Sequence, residues 1–128
     1  MLLLERHVKE YIVFPEIRSF LRIDDISPDA VDVYAKSPSY EGHRQMSYDT
    51  TYTLNELWDR LAVNILRDSS TRVKVGVDAP RSLNIVRGEL ISPEFDDSAR
   101  FEPDGTLVMR GDRYSMERLG NTYSAKRL

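Results

Sequence analysis

The segment from Thr53 to Asp68 places the strongest single constraint on how this chain folds. Thr53-Leu54-Asn55-Glu56 has the form of a capping box: the Thr53 hydroxyl accepts from the backbone N–H of Glu56, whose carboxylate reaches back to that of Thr53. Leu54, Leu57, Trp58, Leu61, Ala62, Ile65 and Leu66 follow at helical spacing, while Glu56, Asp59, Arg60 and Arg67 fall opposite. The spacing predicts an amphipathic helix over about 53–68. Its apolar arc of roughly 180° exceeds the stripe of a little over 100° that a surface helix needs. The excess predicts a second surface to cover. An oligomer interface is therefore expected at Leu54, Leu57, Trp58, Leu61, Ile65 and Leu66, with a homodimer the simplest geometry.

Before this helix, Leu4, Val8, Tyr11 and Ile12 share a helical face, which predicts an N-terminal helix, although Ile12-Val13-Phe14 equally suits the start of a strand. Pro15 ends any helix that precedes it and can open a short helical turn carrying Ile17, Phe20 and Leu21. Ser27-Pro28-Asp29 resembles a helix start, yet Val31, Val33 and Ala35 alternate with Asp32, Tyr34 and Lys36, which favours a strand slightly. Residues 37–49 are polar and form the longest expected connection.

From Thr71 the period becomes two. Val73, Val75 and Val77 predict a strand, and Leu83–Ile91 a second one with a bend at Gly88. Pro103-Asp104-Gly105 predicts a hairpin joining Ala99–Glu102 to Thr106–Met109, and Gly120-Asn121 another between Arg113–Leu119 and Thr122–Arg127. The expectation is a single α+β domain over 1–128, with N-terminal helical segments, one central helix and a C-terminal antiparallel β-meander. The strand-like end Ser124–Leu128, with no closing loop after it, leaves room for a further tail.

Composition narrows the function classes. With 41% hydrophobic and 30% charged residues the balance is globular, and no apolar run approaches the roughly 18 residues of a membrane span. Met1-Leu2-Leu3-Leu4 runs straight into Glu5 and Arg6, without the order of a signal peptide, and there is no cysteine. A cytoplasmic protein without membrane attachment is expected. The net charge of −3 divides unevenly: residues 110–128 carry net +3. That mild basic bias falls short of a dedicated nucleic-acid binder.

No phosphate-binding, dinucleotide-binding or nucleophile motif is present. Neither His7 nor His43 has a second histidine or a cysteine at metal-ligand spacing, so no metal and no cofactor is expected. His43 with Glu41 or Asp49 could form a base and its orienting acid beside Ser39 or Ser47, the weakest of the chemical readings. The pairs Asp24-Asp25 and Asp96-Asp97 suit a divalent cation, but acids in such positions ordinarily make turns. Arg110-Gly111-Asp112 fits a turn. In the last cluster, Arg110, Arg113, Tyr114, Arg118, Tyr123, Lys126 and Arg127 could stack bases and contact phosphates on the C-terminal sheet. Alternatively both tyrosines face the core, and the arginines are solvated or pair with acids.

The leading expectation is a non-catalytic, homodimeric interaction protein that serves an assembly. A single-stranded RNA binder comes second and a small hydrolase using His43 third. In length, lack of cysteine and lack of catalytic signatures, the chain resembles small phage-encoded accessory proteins, in particular the assembly and packaging factor of the double-stranded-RNA bacteriophages, the cystoviruses. The resemblance carries over no functional residue. It implies a dimeric minor virion component that aids RNA packaging and polymerase-complex assembly, meeting other protein subunits and RNA.

Overall fold

The computed structural model describes residues 1–91, 95–119 and 122–128, and it is built almost wholly of strands. The first sheet joins β1 (Leu2–His7), β8 (Arg72–Asp78), β7 (Ala62–Arg67) and β6 (Thr51–Thr53), in that order. The second has the order β5 (Tyr40–Ser47), β4 (Ala30–Ser37), β3 (Ser19–Ile26), β2 (Tyr11–Phe14) and β9 (Val86–Arg87). The third is a meander of β10 (Arg100–Phe101), β11 (Leu107–Met109), β12 (Asp112–Leu119) and β13 (Thr122–Arg127). Every strand pair is antiparallel. Among the described residues the helical pieces are a 3-10 turn at Pro15–Ile17 and α1 (Gly88–Ile91).

The expected α+β class is thus overturned, and the central helix with it. Leu54 opens one helical turn, its carbonyl accepting from the N–H of Trp58 at 2.9 Å, but the chain then doubles back. The N–H of Leu54 donates to the carbonyl of Leu61 at 2.8 Å, and Ala62 onward pairs with β8. Leu61, Val63 and Ile65 are all buried while Ala62, Asn64 and Leu66 are half-buried, a period of two. Val63, which helical spacing puts on the polar side, is 1% exposed. The over-wide apolar arc was a strand's alternation superposed on one helical turn. Glu56, the supposed capping acid, instead accepts from Arg44 at 3.2 Å. Tertiary pairing with the β-branched β8 outweighs the local signal, which is worth about 1 kcal/mol for a cap.

The N-terminal helix is likewise replaced by β1 and β2. Lys9 adopts φ +70° and Glu10 N–H donates to the His7 carbonyl at 3.1 Å, so the chain turns where the helix should continue. Leu4 and Arg6 pair with Val75 and Val73. Residues 28–36 resolve in favour of the strand β4, and most of the polar connection 37–49 becomes β5, its hairpin partner. The strand expected over Leu83–Ile91 shortens to β9 before α1. Gly88 sits so close to β2 that a Cβ would lie 2.8 Å from Tyr11 Cβ. The Pro103-Asp104-Gly105 turn forms as expected, with Gly105 at φ +88° and the Asp104 carboxylate accepting from Thr106 N–H at 2.9 Å. Arg110 and Gly111, both at positive φ, make the two-residue turn between β11 and β12. Gly120-Asn121 lies outside the described residues.

The second sheet is the middle layer. One face packs Ile12, Phe14, Leu21, Ile23, Val31, Val33, Ala35 and Met46 against Leu54, Leu61, Val63, Ile65, Val73, Val75 and Val77 of the first sheet and its loop. On its other face Tyr11, Val13 and Phe20 meet Ala99, Leu107 and Met109 beneath the third sheet. Covered on both sides, β2 is buried at all four positions, which is why Tyr11–Phe14 is a continuous apolar run. Arg6, 2% exposed, ties β1 across this boundary: it donates to the Tyr11 carbonyl at 3.1 Å and to both oxygens of Glu89 at 2.9 and 3.1 Å.

Candidate functional site

The third sheet covers only part of the middle layer, and the uncovered part of that face is where polar side chains converge. The alternation that buries Val31, Val33 and Ala35 turns Asp32, Tyr34 and Lys36 to this side. Register then sets Tyr34 opposite Arg22 on β3 and His43 on β5, and Lys36 opposite Glu41. A β-bulge between Ile23 and Asp25 leaves Asp24 as the extra residue, its carboxylate beside Arg22 and His43. Bulges of this kind re-aim side chains next to working sites.

Arg22 organises the cluster. Its guanidinium lies 4.5 Å from the Tyr34 ring centroid, pairs with Asp24 and Asp97, and donates to the Tyr11 hydroxyl at 3.0 Å. Tyr11 in turn donates to Asp97 at 3.1 Å. The Asp24 contact foremost holds Arg22 protonated. Burial pushes the Tyr11 hydroxyl up to about 12, and burial together with its hydrogen bond to Glu41 raises that of Tyr34. Both phenols are therefore neutral donors at neutral pH. The His43 Nδ1 atom lies 3.2 Å from Asp24 Oδ2 and 3.3 Å from Asp32 Oδ2. Among the described residues, Asp24, Asp32 and His43 are the group able to hold a metal ion.

The residues expected from the sequence are distributed differently. Leu54, Leu61 and Ile65 are completely buried in the chain's own core; Leu57 and Trp58 pack partly against it, and Leu66 lies on the opposite face of β7. These core positions leave the predicted interface without its basis. Glu41 is taken by Tyr34, and the His43 Nδ1 atom faces Asp24 and Asp32 instead of Asp49. The Ser47 N–H donates to the Tyr52 hydroxyl, and no hydrogen bond joins Ser39 or Ser47 to His43, so the expected base, acid and nucleophile are not assembled. Tyr114 and Tyr123 pack inward over the second core, which removes a stacking platform. Arg110 pairs with Asp96, Arg127 with Asp112 at 2.8 Å, and Arg113 with Glu102 at 3.9 Å. Lys126 is exposed, as is Arg118, which has a partner of its own.

Sequence spacing missed the Asp24–Asp32–His43 group because its members come from three strands. The available signal was the polar side of the β4 alternation, once a sheet was assigned. Comparison with family models, curated proteins and solved structures returns no match to this chain. No helix among the described residues is long and apolar enough to cross a membrane.

Proposed function

We propose that this protein is a non-catalytic interaction module that works as a homodimer joined through β1. The observation supporting this reading is a contrast among sheet edges. β6 has three residues and β9 and β10 two each, too short to template pairing, while β5 and β13 are rich in polar and charged side chains. β1 has six residues, and its Leu2 and Leu3 are 44% and 49% exposed beside an exposed Met1. An exposed apolar stretch on an edge, here Leu2 to Leu4, is a template for another strand. Antiparallel pairing of β1 with its copy is self-complementary and would merge two four-stranded sheets into one. Such a dimer would suit an assembly factor, offering its polar third sheet to other subunits.

Size-exclusion chromatography with light scattering at micromolar concentration tests this. The dimer mass is expected for the parent protein and the monomer mass for Leu2→Lys plus Leu3→Lys, with unchanged circular dichroism. A monomeric parent would sink the reading.

A second reading, contact with single-stranded RNA, is supported by one feature: the basic residues of the +3 segment 110–128 all belong to the third sheet or its turn, with Arg113 and Lys126 on an exposed face. It predicts affinity for an oligonucleotide that falls steeply with salt, and a shallower salt slope in Arg113→Ala plus Lys126→Ala. Salt-independent binding would exclude it.

A further inference from the structure

We infer that Asp24, Asp32 and His43 form a binding site for a divalent transition-metal ion of the zinc type, independent of the proposed dimer edge. Three donors of the right chemistry, two carboxylate oxygens and one imidazole nitrogen, come from three adjacent strands and lie within 4.8 Å of one another. Zinc binds carboxylate oxygen and imidazole nitrogen at about 2.1 Å, so neighbouring ligand atoms of a tetrahedral site stand about 3.4 Å apart. The His43 Nδ1 atom is 3.2 Å from one carboxylate and 3.3 Å from the other. Both nitrogen–oxygen separations are therefore close to that spacing, while Asp24 Oδ2 also accepts from Arg22 at 3.2 Å.

The surroundings favour a cation. Asp24, Asp32, Asp97 and Glu41 gather around this face; Arg22 pairs with Asp24 and Asp97, while Asp32 meets His43 and Glu41 accepts from Tyr34. Arg22 grips Asp24 and fixes its orientation, an outer contact of the kind that steadies ligating carboxylates. The Tyr34 ring, 5.3 Å from the imidazole, packs beside His43. The Asp24 side chain is 16% exposed, whereas those of Asp32 and His43 are 40% and 56% exposed. The ion would thus be anchored on its inner side and open to water, or to a partner's donor, on the outer. The nitrogen donor selects zinc-like ions over calcium and magnesium, which prefer all-oxygen shells.

Titration of tag-free protein with Co²⁺, followed by visible absorption and reversed with Zn²⁺, tests the site. One saturable equivalent is expected, displaced by Zn²⁺, with affinity weakened about 10-fold or more in both Asp32→Asn and His43→Ala. His7→Ala, which alters the other histidine–carboxylate pair, should leave it unchanged. The inference is overturned if no saturation is reached at millimolar Co²⁺, if both site variants bind like the parent, or if His7→Ala abolishes binding. In those cases His43 simply bridges the two carboxylates. Because His43 and Asp32 are exposed, their variants should keep the parent's circular dichroism. The dimer test reads a different property, so either proposal can fail alone.

Discussion

The two faces of the middle sheet are made by the same strands and yet do opposite things. Toward the first sheet the buried centre is apolar, from Ile12 and Phe14 through Val31 to Met46, with Ser19 and Arg44 the polar exceptions on that side. On the other side an aromatic nest beneath the third sheet, with Phe20 stacked on Phe101 at 5.0 Å and Tyr11 4.5 Å from Phe95, gives way within one residue pair to Arg22, Tyr34 and His43. The transition falls where the covering layer ends. A strand position takes an aliphatic, aromatic or charged residue according to what lies over it, and a partial cover produces a polar cluster with one buried wall.

Substitutions can break this contrast. Phe14→Ala, in the dry interface and completely buried, should destabilise by about 4 kcal/mol in equilibrium denaturation. Phe101→Ala, half-buried at the margin of the aromatic nest, should cost about 2 kcal/mol by the same measurement. Equal costs would mean that the two interfaces are equally tight and that the contrast fails.

The Arg6–Glu89 pair, which ties β1 to α1, sharpens the comparison through pH. Burial alone would raise the Glu89 carboxyl, but hydrogen bonding to Arg6 and to the backbone outweighs it and holds the group at about 2, below its ordinary 4.5. A depressed carboxyl contributes stability that is complete above 4.5 and is lost as pH falls toward 2. Because the Glu89 side chain is 38% exposed, solvent screening limits this to about 1 kcal/mol. Glu89→Gln should remove that part of the acid dependence of the unfolding midpoint. The smallest effect is expected at the polar cluster: without metal, His43→Ala should change stability by no more than about 0.5 kcal/mol, since the His43 side chain is exposed and polar contacts to an exposed group contribute little. A large loss there would make the cluster structural.

Several parts of the fold were legible in the residues. Val73-Lys74-Val75-Gly76-Val77 could only be a half-buried strand, and Pro103-Asp104-Gly105 contained the φ preferences of its turn. Thr53–Leu66 misled because a capping sequence and one real helical turn precede a strand whose outer face carries Ala62 and Leu66. Those two residues, added to the inward set, imitate a helix's wide arc. Leu4, Val8, Tyr11 and Ile12 misled in the same way, since a tight turn at Val8-Lys9 divides residues that helical spacing unites. Of the site, Asp24 and His43 were singled out by type, but Asp32 was seen only as the polar half of an alternation.

The sequence by itself determined the local, short-range features: the turns, the period of β4 and β8, the lack of a motif for covalent chemistry, and the basic bias of the last segment. Only the tertiary structure decided the state of 53–68, because strand pairing is a contact between distant residues and helical spacing is not. It alone decided which side of the middle sheet stays open. It also brought Asp24, Asp32 and His43 within reach of one ion, through a bulge and two registers that no spacing along the chain encodes.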